Sequence, residues 1–144
     1  MKTGLRIAGF TSVLALLLSG TIATTCIAKT MPLGASQQIP AAEGTAQLHK
    51  TKNGNVEIKL KIKHLAPPER IVPGANVFMV WVRGLGPDAQ AQNLGALRVD
   101  KNLSAKMTAI TAMPSFDLFI TCEPSQTVTA PGSPELLPLH YVNS

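Results

Sequence analysis

The stretch Val56-Glu-Ile-Lys-Leu-Lys-Ile-Lys63 decides the fold class, because apolar and charged side chains alternate through it without a break. Successive side chains of a β-strand point to opposite faces, so this stretch presents one apolar face and one charged face. Such a pattern is typical of a half-buried strand, with a core on one side and water on the other. The charged face consists of Glu57, Lys59, Lys61 and Lys63.

The residues before this strand alternate in the same way, and the turn sequence Thr51-Lys-Asn-Gly-Asn55 joins the two strands into a predicted hairpin. A two-residue turn would place Leu48 opposite Lys59, which sets a core residue against a solvent residue. A three-residue loop instead pairs Leu48 with Ile58 and puts Gly54 in the left-handed position of a G1 bulge. We therefore predict the three-residue loop.

The remaining chain consists of short apolar stretches separated by proline and glycine. The run Val77–Val82 is apolar at every position, as expected of a central strand with both faces covered. Pro138 predicts that the last strand lies at a sheet edge. Loops are predicted at 65–76 and 84–95, and no helical period is present. The predicted strands are 45–50, 56–63, 77–82, 97–99, 105–112, 116–122 and 137–142. This pattern predicts an all-β fold, an immunoglobulin-like antiparallel β-sandwich of about seven strands.

Residues 1–28 have the three-part layout of a secretory signal peptide, in which Lys2 and Arg6 precede an apolar stretch at 7–18. The apolar stretch is shorter than the roughly 18 to 20 residues that span a bilayer. Cleavage after Ala28, lipidation at Cys26 and retention of the leader are the three outcomes that the sequence leaves open. We expect an exported protein, periplasmic or extracellular, that is attached to the membrane only if Cys26 is lipidated or the leader is uncleaved.

Composition and charge set further limits. Residues 29–42 are rich in Pro, Gly, Ser and Gln and are predicted to form a flexible linker before the sandwich domain at 43–144. Without Lys2 and Arg6 the chain has 11 basic and 8 acidic residues, a net charge of +3. This mild excess does not predict nucleic-acid binding. The cysteines are Cys26 and Cys122 alone, so no disulfide framework is expected.

Residues capable of catalysis are few and scattered. The three histidines His49, His64 and His140 stand alone in the sequence, so we interpret them as solvent-facing residues and predict no catalytic residue, metal or cofactor. Cys122 shares a strand face with Phe116, Leu118 and Ile120, which predicts a buried thiol. Trp81 is interpreted as a core residue, with an exposed ligand anchor as the alternative.

Lys59, Lys61 and Lys63 form the candidate binding face, a basic row about 13 Å long. We favour the other interpretation of this row, an ordinary solvated strand face that prevents pairing at a sheet edge. The first functional hypothesis is a non-catalytic envelope binding or structural module, whose partner is an envelope protein or an anionic surface polymer. The alternative is a small metal-dependent or hydrolytic enzyme that uses His49, His64 or His140.

Several motifs follow one another along the chain in an order similar to that found in a known protein family. They are Leu65-Ala-Pro-Pro68, Val77-Phe-Met-Val-Trp81, Leu94-Gly95, and Phe116–Glu123 followed by Thr129-Ala-Pro-Gly132. Over roughly residues 46–137 this order resembles the extracytoplasmic domain of the anti-sigma-K factor family. The sequence has no His-x-x-x-Cys-x-x-Cys motif of the family's sigma-binding domain. The resemblance therefore implies the fold and an envelope location, and it does not imply binding of a sigma factor.

Overall fold

The computed structural model describes residues 28–144, together with Gly4 and Gly20. The predicted signal peptide therefore lies outside the described residues except for Gly4, Gly20 and Ala28, and Cys26 is among the residues outside. The described part contains eight β-strands and a single helical turn. The strands are β1 (Lys29–Pro32), β2 (Glu43–Lys50), β3 (Val56–Lys63), β4 (Val77–Arg83), β5 (Ala91–Leu97), β6 (Ala105–Thr111), β7 (Phe116–Glu123) and β8 (Leu136–Tyr141), and the helical turn is α1 (Pro68–Ile71).

The strands form two antiparallel sheets that pack face to face. The first sheet has the order β1-β2-β3-β6, and the second sheet has the order β5-β4-β7-β8. The chain changes sheet after β3, β5 and β6, so β3 pairs with β6 and β4 pairs with β7. Such pairing between strands distant in sequence is the Greek-key connection of an immunoglobulin-like sandwich. The all-β sandwich prediction is confirmed.

The first hairpin has the predicted register. Leu48 lies opposite Ile58 and Ala46 lies opposite Leu60, so apolar residues of both strands share the inner face. Gly54 has a φ of 83°, the left-handed conformation that the three-residue loop requires. The backbone N–H of Thr51 donates to the carbonyl oxygen of Asn55 at 2.8 Å and closes the loop. The hydrophobic pattern was sufficient here because a shift of one residue would exchange the two faces.

Strand β4 is central in the second sheet and is covered on both faces, as predicted. Phe78, Val80 and Val82 belong to the main core between the sheets. On the opposite face, Met79 and Trp81 pack with Phe119 in a smaller second core. β8 forms one edge of the second sheet, in agreement with the prediction from Pro138.

Two predicted loops contain regular structure. The loop predicted at 84–95 includes the first five of the seven residues of β5, which pairs with β4 through an irregular register next to Val80. Asn93 and the positive-φ Gly95 give this strand the composition of a turn, and pairing with β4 overrides that local preference. The loop predicted at 65–76 contains α1, where Pro68 occupies the first turn and no backbone N–H is needed.

The flexible linker predicted for residues 29–42 is the largest difference between sequence and structure. β1 pairs with β2 over Lys29–Pro32, and the following residues 33–42, here called the edge segment, cross towards β8. Three apolar residues of this segment, Leu33, Ile39 and Ala42, are buried in the main core. The backbone N–H of Gly34 donates to the carbonyl oxygen of Pro138 at 2.7 Å, and a side chain at Gly34 would collide with the same group. Buried residues at irregular spacing leave no period in the sequence, so the segment resembled a linker.

Candidate functional site

The predicted basic row lies on the outer face of the first sheet. Its strand, β3, is hydrogen-bonded to β2 on one side and to β6 on the other. Lys59, Lys61 and Lys63 are exposed and alternate with buried apolar residues. A strand with neighbours on both sides has no edge to protect, so the interpretation of this row as an edge-blocking feature is wrong.

Two of these lysines have an acidic residue beside them. The Lys59 Nζ lies 3.4 Å from the Glu57 Oε1 on the same strand. Lys63 lies directly opposite Glu43 on β2. Side chains directly opposite each other in an antiparallel pair have Cβ atoms about 5 Å apart, close enough for opposite charges to attract. Lys59 therefore has an ion-pair partner, whereas Lys63 lies opposite an acidic residue with which it forms no salt bridge within residues 28–144.

The centre of the row has the opposite character. Lys61 lies directly opposite Lys106 of β6, and both side chains are exposed. Within residues 28–144 neither of them forms a salt bridge. Like charges directly opposite each other destabilise a sheet. We call these two residues the lysine pair.

The lysine pair stands in a shallow depression of about 650 Å³ on this face. Thr45 lies opposite Lys61 on its other side, and Thr108 lies opposite Lys59. The residues that line it are mostly lysines, threonines and a glutamine, with no aromatic residue among them: Thr30, Thr45, Gln47, Lys59, Leu60, Lys61, Lys106, Met107 and Thr108. Ammonium groups and hydroxyls are hydrogen-bond donors, so the arrangement is suited to an anion that also carries polar groups.

The three histidines occupy separate positions on the two sheets. His64 and His140 are exposed and His49 is half-buried. His49 lies opposite Glu57 in the first sheet, and His64 follows β3 with a φ of 57°. Among the described residues no group of three or more His, Cys, Asp and Glu side chains could hold a metal ion. A metal-dependent or hydrolytic role for the histidines stays a prediction.

His140 belongs to a charged cluster that the sequence analysis missed. Its Nδ1 lies 2.6 Å from the Asp117 Oδ1 on the outer face of the second sheet. Beside it, the Arg83 Nη1 donates to the Glu135 Oε1 at 2.7 Å, and this hydrogen bond raises the pKa of Arg83. The guanidinium carbon of Arg83 also lies 4.9 Å from the centroid of the Phe119 ring. Only the pairing of β4 with β7 and of β7 with β8 assembles the cluster, so no short sequence motif could have revealed it.

Cys122 has the environment of a core residue. It is 2% exposed and packs in the main core. Burial, followed by the nearby charge of Glu123, raises the pKa of the Cys122 thiol to about 11. A thiol with this pKa is protonated at neutral pH and is a poor nucleophile. The prediction of a buried Cys122 is confirmed.

Trp81 lies under residues 124–134, here called the strap, which form most of the connection from β7 to β8 and place Val128 against the second core. Its Nε1–H donates to the Thr121 Oγ1 at 2.8 Å, and the Thr121 hydroxyl donates to the Glu123 Oε1 at 2.7 Å. The same carboxylate oxygen accepts the backbone N–H of Gly132 in the strap at 2.8 Å. Trp81 is 0% exposed. The prediction of a core tryptophan is confirmed, and the alternative of an exposed ligand anchor is wrong.

Comparison with known proteins returns no family model, no curated protein and no solved structure that matches the chain. Within the described residues, no helix has the length and the apolar character needed to cross a membrane.

Proposed function

We propose that this protein is an exported, non-catalytic module of the cell envelope that binds an anionic surface polymer on the outer face of the first sheet. The observation that carries the proposal is the lysine pair, two like charges held opposite each other with no salt-bridge partner in residues 28–144. A bound anion would be attracted to both ammonium groups and would offset their mutual repulsion.

The position of Lys61 supports this function. An exposed lysine on the edge strand β6 also prevents pairing with another chain, which gives Lys106 a second role. That explanation does not extend to Lys61 on the central strand β3. Because Lys61 and Lys106 repel each other, a solvated face would gain stability from an acidic or neutral residue at either position.

The predicted location supports a polymer as the partner. The layout of residues 1–28 is that of a secretory signal peptide, and the motif order similar to the anti-sigma-K extracytoplasmic domain also favours the envelope. The depression is shallow and lies on a sheet face, which suits a chain lying across it better than a small molecule enclosed in a pocket.

The test is a binding measurement with anionic polymers extracted from the cell envelope. We expect the variant Lys61→Gln/Lys106→Gln to bind about tenfold more weakly than the natural protein, a loss of about 1.4 kcal/mol. The matched control is Lys52→Gln/Lys101→Gln, which removes two exposed lysines from turns and causes the same change in net charge. An equal loss in both variants would show that net charge, and not this face, governs binding, and would contradict the proposal.

A further inference from the structure

Two loops of the molecule have the same hydrogen-bond pattern. One joins β2 to β3 over residues 51–55, and the other lies between β5 and β6 over residues 100–104. In both loops the backbone N–H of the first residue donates to the carbonyl oxygen of the last residue at 2.8 Å. The fourth residue has a positive φ in both, 83° at Gly54 and 57° at Leu103. Its backbone N–H donates to the carbonyl oxygen of the first residue, at 3.0 Å for Gly54 and 3.1 Å for Leu103.

The two loops also share their second and third residues. Their sequences are Thr51-Lys-Asn-Gly-Asn55 and Asp100-Lys-Asn-Leu-Ser104. The asparagines, Asn53 and Asn102, are both exposed. Within residues 28–144 the side-chain hydrogen bonds of these loops are accepted by Thr51 and Asp100, and neither asparagine side chain takes part. The two asparagines therefore have closely similar surroundings, apart from the residue that follows each of them.

The following residue controls access to the backbone nitrogen beside the asparagine amide. Gly54 has no side chain that could shield its own nitrogen. Apart from its chain neighbours, no heavy atom of the described residues lies within 4 Å of the position that a Cβ of Gly54 would occupy. Leu103 carries a branched side chain that crowds the corresponding nitrogen after Asn102. The nitrogen after Asn53 is thus open to reaction, and the 100–104 loop is its natural comparison.

We infer that Asn53 is a site of deamidation. The Gly54 nitrogen, after passing its proton to water, attacks the Asn53 Cγ. The N–Cγ bond forms, the Cγ–Nδ2 bond breaks, and Nδ2 leaves as ammonia with a proton taken from water. A second water then opens the succinimide ring, at Cγ to give aspartate or at the backbone carbonyl carbon to give isoaspartate. Water is the only co-reactant in both steps.

Both products change the tip of the first hairpin. Each places a carboxylate next to Lys52, where the neutral amide stood. Isoaspartate also adds a carbon atom to the backbone of a loop that is closed by the hydrogen bond from Thr51 to Asn55. The apolar faces still fix the register of β2 and β3, so we expect the change to stay within residues 51–55. This inference is independent of the proposed function.

The test follows deamidation by mass spectrometry of peptides from the purified, folded protein after incubation at mildly alkaline pH. We expect Asn53 to convert at least about tenfold faster than Asn102, a difference in activation free energy of about 1.4 kcal/mol. The hydrogen bond at the attacking nitrogen is present in both loops, so it does not account for the difference. The rate at Asn53 should rise with pH, because the Gly54 nitrogen must lose its proton before it attacks.

The variant Leu103→Gly moves the glycine to the other loop. A φ of 57° suits glycine better than leucine, so this variant should fold. We expect its Asn102 to convert about tenfold faster than in the natural protein, while Asn53 keeps its rate. The matched control Asn53→Gln should lose the fast reaction, because the longer side chain closes a ring less readily. If Asn53 converts no faster than Asn102, or if Leu103→Gly leaves the rate at Asn102 unchanged, the inference is overturned.

Discussion

The two outer faces of the sandwich are built in opposite ways. The outer face of the first sheet is open to water and carries lysines and threonines. The outer face of the second sheet carries Met79, Trp81 and Phe119 in a second core under the strap. Both sheets contribute to the same main core, so the inner faces do not differ in this way. The period of a strand therefore reflects how many of its faces are covered: β3 alternates, whereas β4 is apolar at every position from Val77 to Val82.

This difference gives the two outer faces unequal contributions to stability. A buried tryptophan removes roughly 200 Å² from water, which corresponds to about 5 kcal/mol at about 25 cal/mol per Å² as an upper value. The open face offers no comparable burial, and its lysine pair costs stability. The covered part of the second sheet therefore stabilises the fold, whereas the exposed lysines of the first sheet make no comparable contribution.

The largest expected effect is on the covered face. Trp81→Ala should lower the free energy of unfolding by about 3 to 5 kcal/mol, because it leaves a cavity under the strap and removes the hydrogen bond to Thr121. Chemical denaturation monitored by circular dichroism measures the loss. Trp81→Phe is the matched control, since it keeps an aromatic ring and should cost less than the alanine variant. A loss below about 1 kcal/mol for Trp81→Ala would mean that the strap does not cover this face in solution.

We expect the next largest loss in free energy of unfolding from a substitution in the edge segment. This segment packs beside β8 and covers that side of the main core, in the same way that the strap covers the second core. Ile39 is 5% exposed, so Ile39→Ala should cost about 2 to 4 kcal/mol in unfolding free energy. Ile110 is 56% exposed on β6, and Ile110→Ala should change stability by less than about 0.5 kcal/mol. A flexible linker at 29–42 would make the two substitutions equally harmless, so equal small losses would contradict the packed edge segment.

Strands with a clear period could be predicted from sequence, and segments held by tertiary contacts could not. The alternation of β3 and the apolar run of β4 identified their faces, and the hairpin register followed from matching those faces. The edge segment and β5 have the composition of loops and are ordered by contacts with distant strands. A short stretch of sequence cannot predict those contacts, because they depend on which strands the fold brings together.

The candidate site was predicted in part for the same reason. Lys59, Lys61 and Lys63 follow from the period of one strand. Lys106 lies on another strand, and only the pairing of β3 with β6 places it opposite Lys61. The sequence therefore predicted a basic row, whereas the structure places Lys106 opposite Lys61 and gives Lys59 an ion pair with Glu57. The charged cluster around His140 was missed because it also depends on strand pairing.

The hydrogen-bonded chain under the strap gives a smaller effect than the tryptophan itself. Glu123 is 2% exposed, and Glu123→Ala leaves the Gly132 N–H and the Thr121 hydroxyl without their acceptor, so it should cost about 1 to 3 kcal/mol. Hydrogen exchange of the Gly132 amide should accelerate. Glu135→Ala is the control, because its exposed ion pair with Arg83 should contribute about 1 kcal/mol or less. Unchanged exchange at Gly132 would show that Glu123 does not anchor the strap.

The smallest effect belongs to the open face, and its sign is opposite to the others. Lys61→Gln/Lys106→Gln removes two like charges that lie opposite each other, so the free energy of unfolding should rise by a few tenths of a kcal/mol and by no more than about 1 kcal/mol. Measurements at low and high salt distinguish charge repulsion from a change in strand propensity as the origin of this gain. Salt weakens the repulsion, because the Debye length falls to about 3 Å at 1 M. The gain should therefore be present at 10 mM salt and absent at 1 M. The control Lys52→Gln/Lys101→Gln should show no such salt-dependent gain. A loss of stability in the variant Lys61→Gln/Lys106→Gln at low salt would mean that the two ammonium groups do not repel each other.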